Sequence, residues 1–262
     1  ISAYDKQLFE HRKFPADDPR AIRLLAWERR LFAAADRVVA DTVCHADFFR
    51  ETLQVPPARL RVVYVGAEPS FVPPATEPVK TPGEPVEVLF YGSFIGLHGV
   101  ETIIEAARRY RGAPVRWTLL GNGPMKAACQ AAATGLPQLR FESAIPYGEL
   151  CARIHRADIL LGVFGTTPKA GRVMPNKVFQ ALAAGRPVIT RVSEAYPETA
   201  RGSDALAFVP PGDPQALADA VAAWSADPAR LEAKSREARA LFDRCFSAET
   251  LRQQLADLLS NV

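Results

Sequence analysis

The sequence predicts an α/β protein built on a doubly wound parallel sheet, and three observations carry that prediction. The segments at 86–91 (VEVLFY) and 159–163 (ILLGV) are nearly continuous apolar runs, the pattern of strands buried on both faces. From residue 86 onward such runs alternate with helical patterns of about 10–15 residues, the rhythm of strand–helix–strand units. Gly135 and Gly185 stand where two of those helical patterns end, as helix-stop residues do.

The elements follow in order. Asp18-Pro19 is a helix start, because Asp can cap free amides and Pro tolerates the first turn. Ile22, Leu25, Leu31 and Phe32 then give an imperfect apolar stripe. RVVA (37–40) reads as a short strand, 46–53 as a helix, and RVVYV (61–65) as a second strand ending at Gly66. The proline-rich stretch 67–85 lacks periodicity and reads as a linker between domains. Strands are then expected at 86–91, 115–120, 139–141, 159–163, 188–190 and 205–209. The intervening helices are expected at 100–110, 124–134, 147–156 and 177–184, with another at 214–226. Asp213-Pro214 and Asp227-Pro228 repeat the Asp-Pro start, and 228–259 reads as a helical tail rich in Arg and Glu. The organisation is therefore a first region over 1–66, a linker over 67–85, a sheet-bearing domain over 86–226, and tail helices over 227–262.

Composition narrows the function. The 262 residues are 48% hydrophobic and 23% charged, which excludes fibrous, disordered and coiled-coil classes. The net charge of +3 comes from scattered Arg and gives only weak support for a nucleic-acid footprint, so no nucleic-acid partner is expected. Cys44, Cys129, Cys151 and Cys245 have no metal-ligand or C-x-x-C spacing, so they read as reduced thiols. No apolar run approaches the roughly 20 residues of a membrane span. The chain begins at Ile1 within an amphipathic stretch, which reads as part of a longer chain. There is no G-x-S-x-G, H-E-x-x-H or Asp-x-Asp, so hydrolase and metal chemistry find no support.

In an open parallel sheet, ligands bind outside the carboxyl ends of the strands. Three loops there carry unusual residues. Gly92-Ser93-Phe94-Ile95-Gly96-Leu97-His98-Gly99 is small enough for an anion to approach the backbone ahead of a helix, or is simply a tight turn. It is neither G-x-G-x-x-G nor a Walker loop. Gly121-Asn122-Gly123-Pro124 permits positive φ and reads equally as a ligand contact or a turn. The third loop brings Lys169, Arg172 and Lys177 together with Asn176 and Gln180. Cations at a helix start oppose the helix dipole unless an anion sits there, so this loop is the strongest candidate; a solvated basic turn is the alternative.

The third loop also carries a family resemblance. PNKVFQALAAGRPVIT resembles the P-x-K-x-(F/Y)-E-x-x-A-x-G-x-P-V-I signature of retaining, nucleotide-sugar-dependent glycosyltransferases of group 1 (family 4-like), which have the GT-B fold. ADRVVADT, RVVYVGAEPSFVPP, LLGNGP and VPPGDPQALADAV resemble further blocks of that family in the same order. The resemblance spans about 35–259 and implies two facing Rossmann-like lobes, with 1–66 the end of the first and the helices of 227–262 packing back toward it. The C-terminal lobe would bind the nucleotide diphosphate sugar and the N-terminal lobe the acceptor. Gly92-Ser93 would cradle the diphosphate, with His98 and Gly99 in the same loop. Gly121 and Gly123 would approach the nucleoside or diphosphate, and Ala144-Ile145 would lie against the base. Lys177 and Gln180 would hold diphosphate or ribose, beside Lys169, Arg172 and Asn176.

The pattern is broken in places. His98 replaces a Lys, and Arg172 and Gln180 replace the two glutamates of E-x7-E. Most strands of the first lobe are not present in 1–66, so this chain alone is expected to turn over poorly. The resemblance implies polysaccharide or glycolipid assembly in the cytoplasm or at the inner face of the membrane. It implies a carbohydrate or lipid-linked acceptor, peripheral membrane contact through the rest of the first lobe, no metal, and no cofactor besides the donor. A nucleotide-sugar epimerase on the same fold and a non-catalytic nucleotide-sugar-binding descendant are the alternatives.

Overall fold

The computed structural model describes residues 2–11, 13–72 and 84–260. The first of these segments opens with α1 (Ala3–Asp5), which runs on into a π-helical turn, Lys6–Glu10. Helix α2 (Pro19–Ala33) follows, with the Asp18 side chain accepting from the Arg20 amide as the Asp-Pro start predicts. Half of the apolar stripe read on this helix holds: Leu25 and Phe32 pack against the core of this lobe, whereas Ile22 and Leu31 are 55% and 54% exposed. The inward face also carries Ala21 and Glu28, both buried. Glu28 belongs there because it works as a cap for a different helix, accepting from the Ser2 hydroxyl and the Ala3 and Tyr4 amides at the start of α1. Strand β1 (Val38–Ala40), helix α3 (Val43–Glu51) and strand β2 (Leu60–Val62) complete the lobe, with β1 and β2 parallel and Val38 opposite Leu60.

Of the proline-rich stretch, residues 73–83 lie outside the described residues. Its beginning is more than a linker: Pro69–Phe71 forms a 3-10 turn whose Phe71 is 1% exposed and sits in the core of the second lobe.

The second lobe holds β3 (Val86–Tyr91), β4 (Val115–Leu120), β5 (Leu139–Glu142), β6 (Ile159–Leu161), β7 (Val188–Arg191) and β8 (Leu206–Val209). All pairings are parallel, in the order β5-β4-β3-β6-β7-β8. Counted from the first strand of this lobe, that is the 3-2-1-4-5-6 order of dinucleotide-type sheets, and the order reverses between β3 and β6. β3 shows why its run is nearly all apolar. Val88 and Phe90 face one layer, Leu89 and Tyr91 the other, and all four are buried.

On the first face lie α4 (Val100–Arg109) and α9 (Pro214–Ser225), which contribute Ile103, Ile104, Leu217 and Val221. The other face takes α6 (Tyr147–His155), α7 (Asn176–Ala183) and α10 (Pro228–Cys245), through Ile154, Phe179 and Leu241. Short helices α5 (Lys126–Ala132) and α8 (Glu198–Arg201) fill the remaining connections. The tail is not one helix: α10 stops at Phe246 and α11 (Ala248–Ser260) begins after it. Phe246 is buried between Phe179 and Tyr64, ring centroids 5.0 and 6.0 Å away, and the Ser247 hydroxyl caps α11 by accepting from the Thr250 amide. The break brings the tail onto Gly66, where an added Cβ would lie 2.6 Å from the Phe246 carbonyl.

Candidate functional site

A cleft of about 730 Å³ opens at the carboxyl end of β3, beside the reversal point of the sheet. Among its lining residues are Gly92, His98, Asn176, Lys177 and Gln180, five of the positions singled out from sequence. The loop after β3 turns because Gly92 has φ +142. The neighbouring turn after β4 presses directly on it: a Cβ on Gly121 would lie 2.0 Å from the Gly92 carbonyl oxygen, and one on Gly123 2.5 Å from the Phe94 amide. The two glycines serve backbone-to-backbone approach and stand behind the first loop. Gly99, at φ +64, likewise fits against Gly165, where a Cβ would lie 2.6 Å from the amide nitrogen. Ser93 is exposed, and its carbonyl accepts from His98.

Lys177 sits in the first turn of α7, which has no side-chain cap at its N-terminus. Its side chain is buried, and its ammonium stands 3.9 Å over the Phe90 ring and beside Gly92. Among the described residues Nζ has no hydrogen-bond partner. Burial pushes its pKa well below the ordinary lysine value. His98 is held neutral for two reasons: burial first, then the nearby Lys177, together lowering its pKa to about 3. Since a carbonyl can only accept, the neutral ring donates from Nδ1 to the Ser93 oxygen at 2.5 Å.

Gln180 is buried one turn further along. Its Oε1 accepts from the Tyr91 hydroxyl at 2.8 Å and its Nε2 donates to the Tyr147 hydroxyl at 3.0 Å. Tyr147 in turn donates to Glu68 Oε1 at 2.6 Å. Burial and the Glu68 bond raise the Tyr147 pKa to about 12, while that same bond holds Glu68 below the usual carboxylate range.

The remaining sequence candidates do not line this cleft. Ala144 is exposed, and Ile145 packs against the core beneath α6. Lys169 and Arg172 turn toward the first lobe. Lys169 Nζ lies 3.1 Å from Asp5 and 3.4 Å from Glu10, and the Arg172 guanidinium pairs with Asp5 while stacking on Phe9 and Phe48. His45 Nε2 is 3.8 Å from the same Asp5, and His45 Nδ1 is 2.5 Å from Asp41. The basic loop thus divides: Lys177 enters the cleft, whereas Lys169 and Arg172 fasten the two lobes to each other.

Sequence reasoning missed Tyr91, Tyr147, Glu68, Ala248 and Leu251, all of which line the cleft. Tyr91 and Tyr147 were within reach, since one ends a strand and the other starts a helix on the ligand edge. Ala248 and Leu251 carried no signal, because only the break at Phe246 brings them there.

Among the described residues no three His, Cys, Asp or Glu side chains are grouped as a metal ion would need, and no helix is long and apolar enough to cross a membrane.

Comparison with known proteins places this geometry. The chain is 28% identical over 223 residues to the WcaL protein of Salmonella typhimurium, named for a glycosyltransferase role in colanic acid biosynthesis, covering 81% of this chain and 53% of that one. It is 27% identical over 252 residues to a D-inositol 3-phosphate glycosyltransferase of Catenulispora acidiphila, covering 88% of this chain and 59% of that one. The chain thus spans about half the length of the curated relatives it matches. Among solved structures it resembles HepE of Anabaena in complex with UDP and glucose, with a TM-score of 0.76 at 16% identity over 92% of this chain and 67% of that one. It also resembles WaaG, a glycosyltransferase involved in lipopolysaccharide biosynthesis, with a TM-score of 0.71 at 19% identity over 93% and 68%. The family described as glycosyl transferases group 1 matches residues 85–227, more than half of the chain and the whole of the six-stranded sheet. The chain belongs to the group 1 glycosyl transferases.

Proposed function

We propose that the cleft at the end of β3 binds a nucleotide diphosphate sugar, and that the chain is the donor-binding part of a glycosyltransferase. The sugar passes to a carbohydrate or lipid-linked acceptor, with retention and without a metal, in the cytoplasm or at the inner face of the membrane. One observation carries the reading: Lys177 is a buried amine without a hydrogen-bond partner among the described residues, aimed at a glycine turn in a large cleft. A group so placed destabilises the protein by itself and is explained by a ligand that restores its charge.

The chemistry follows from the residues. Departure of a nucleotide diphosphate loads negative charge onto its oxygens, and preorganised donors lower the barrier by meeting that charge. Lys177, protonated in the field of the diphosphate, supplies a cation. At Gly92-Ser93 the Ser93 amide supplies an N–H group, since that of Gly92 donates to the Leu120 carbonyl at 3.0 Å, and the uncapped first turn of α7 supplies more. His98, neutral in the free protein, leaves Nε2 as the ring atom able to take a proton there. Lys169 and Arg172 act indirectly by holding the first lobe, which carries the acceptor side, against this edge.

The test is calorimetric titration of UDP, ADP and GDP into the wild type and Lys177→Met, which keeps the packing over Phe90. Loss of a charge-assisted hydrogen bond, roughly 1.5–3 kcal/mol, should weaken the preferred nucleotide about ten- to hundredfold. Equal affinity in both proteins would take the diphosphate out of this cleft.

A further inference from the structure

The lining of the cleft carries a second polar group, and Glu68 is its centre. In the family pattern a glutamate occupies the place of Gln180; here the amide at that place is consumed inside the protein. Its Oε1 is bonded by Tyr91 and its Nε2 is given to Tyr147. That donation also fixes the direction of the next bond. The Tyr147 oxygen receives a hydrogen from Gln180, so its own hydrogen turns to Glu68 Oε1. A glutamate at position 180 would compete for that same hydrogen and face Glu68 as a like charge. The amide therefore hands the carboxylate function to Glu68.

Glu68 is also held in place. It precedes the turn Pro69–Phe71, and Phe71 is buried with its ring edge-on to Tyr147 at 5.9 Å. Helix α6 grips the turn twice: the Cys151 thiol donates to the Ser70 carbonyl at 2.5 Å, and His155 Nε2 donates to the Phe71 carbonyl at 3.1 Å. A carboxylate has about four acceptor positions; Tyr147 uses one at 2.6 Å, and the Gln180 amide and Glu68's own backbone also reach the group. The rest are available on the wall of the same cleft that Lys177 and Gly92 enter. The cleft thus offers, on one continuous lining, a cation and a fixed acceptor of hydrogen bonds. A nucleoside diphosphate matches this with its anion and the paired hydroxyls of its ribose.

We infer that Glu68, set by Tyr147 and Gln180, is the residue that binds the ribose hydroxyls of the donor. The inference rests on the nucleotide reading above, and the experiment separates the two. UDP, ADP and GDP, their 2′,3′-dideoxy forms, and inorganic pyrophosphate are titrated into wild type, Glu68→Gln and Tyr147→Phe. The wild type should prefer the preferred ribonucleotide over its dideoxy form about tenfold or more, as a site built for hydroxyls does. Glu68→Gln should bind the ribonucleotide as weakly as the dideoxy form and leave pyrophosphate unchanged. Tyr147→Phe should lose part of the preference, since the carboxylate remains but is no longer held. A wild type indifferent to the hydroxyls, or a preference surviving in Glu68→Gln, overturns the inference and leaves the diphosphate site standing. Failure of every nucleotide and of pyrophosphate to bind overturns both.

Discussion

Replacing Asp5 with Asn tests how the two lobes are joined. Asp5 is 1% exposed and faces Lys169, Arg172 and His45. Burial by itself would raise its pKa, but the His45 bond and the two cations outweigh that and lower it from 3.8 to about 2. At roughly 1.4 kcal/mol per unit, the ionised form contributes about 2.5 kcal/mol to stability at neutral pH. Removing the charge also deprives the half-buried Arg172 of its carboxylate and leaves the buried Lys169 with Glu10 alone at 3.4 Å, and breaking such a set typically costs about 3–5 kcal/mol. Asp5→Asn should therefore lower the unfolding free energy by about 3 kcal/mol at pH 7.

The pH dependence has a definite sign. A carboxylate whose folded pKa is depressed stabilises fully above 3.8 and loses that contribution as the pH falls toward 2. The gap between wild type and Asp5→Asn should consequently narrow below about pH 4. His45 works the other way. Burial disfavours its charge, yet Asp41 and Asp5 raise its pKa, so its contribution is whole below 6.5 and fades as the pH rises through the folded value. Urea unfolding of both proteins at pH 7, 5 and 3 checks this. A variant as stable as wild type at pH 7, or a gap that does not narrow in acid, would refute the account of the junction.

Two further outcomes are expected. Gly121→Ala should lower the melting temperature by several degrees, because its Cβ would lie 2.0 Å from the Gly92 oxygen at φ +140, whereas Gly96→Ala, with nothing within 4 Å, should leave it unchanged. Diphosphate binding should take up a proton at Lys177, whose pKa burial depresses in the free protein. Affinity should therefore fall as the pH rises through that depressed value, and calorimetry in buffers of different ionisation enthalpy measures the uptake directly.

Much of the second lobe was legible because its strands are buried on both faces. β3 and β4 have the boundaries read from their apolar runs, and Asp-Pro starts α2, α9 and α10 as expected. What could not be read depends on contacts distant in sequence. Glu28 looks like a surface residue until α1 lies beside it, and Phe71 looks like linker until α6 covers it. The basic loop showed three cations together, but only the position of Asp5 reveals that two of them point away from the cleft. Lys177 and Gln180 were legible as a pair on one helix face; Glu68 was not, because 79 residues separate it from Tyr147.

The central place of β3 has a consequence for how the chain is made. One of its edges pairs with β4, which follows at once, but the other pairs with β6, Val88 opposite Ile159. At synthesis rates of about 5–20 residues per second, that second edge waits about 4–14 s for its partner. During that interval an almost wholly apolar strand presents unpaired amides and carbonyls, a template for joining another chain. The nascent protein is thus most vulnerable to aggregation after β5 has emerged and before β6 has, and a ribosome pause within that window would lower the yield of native protein more than a pause after β8.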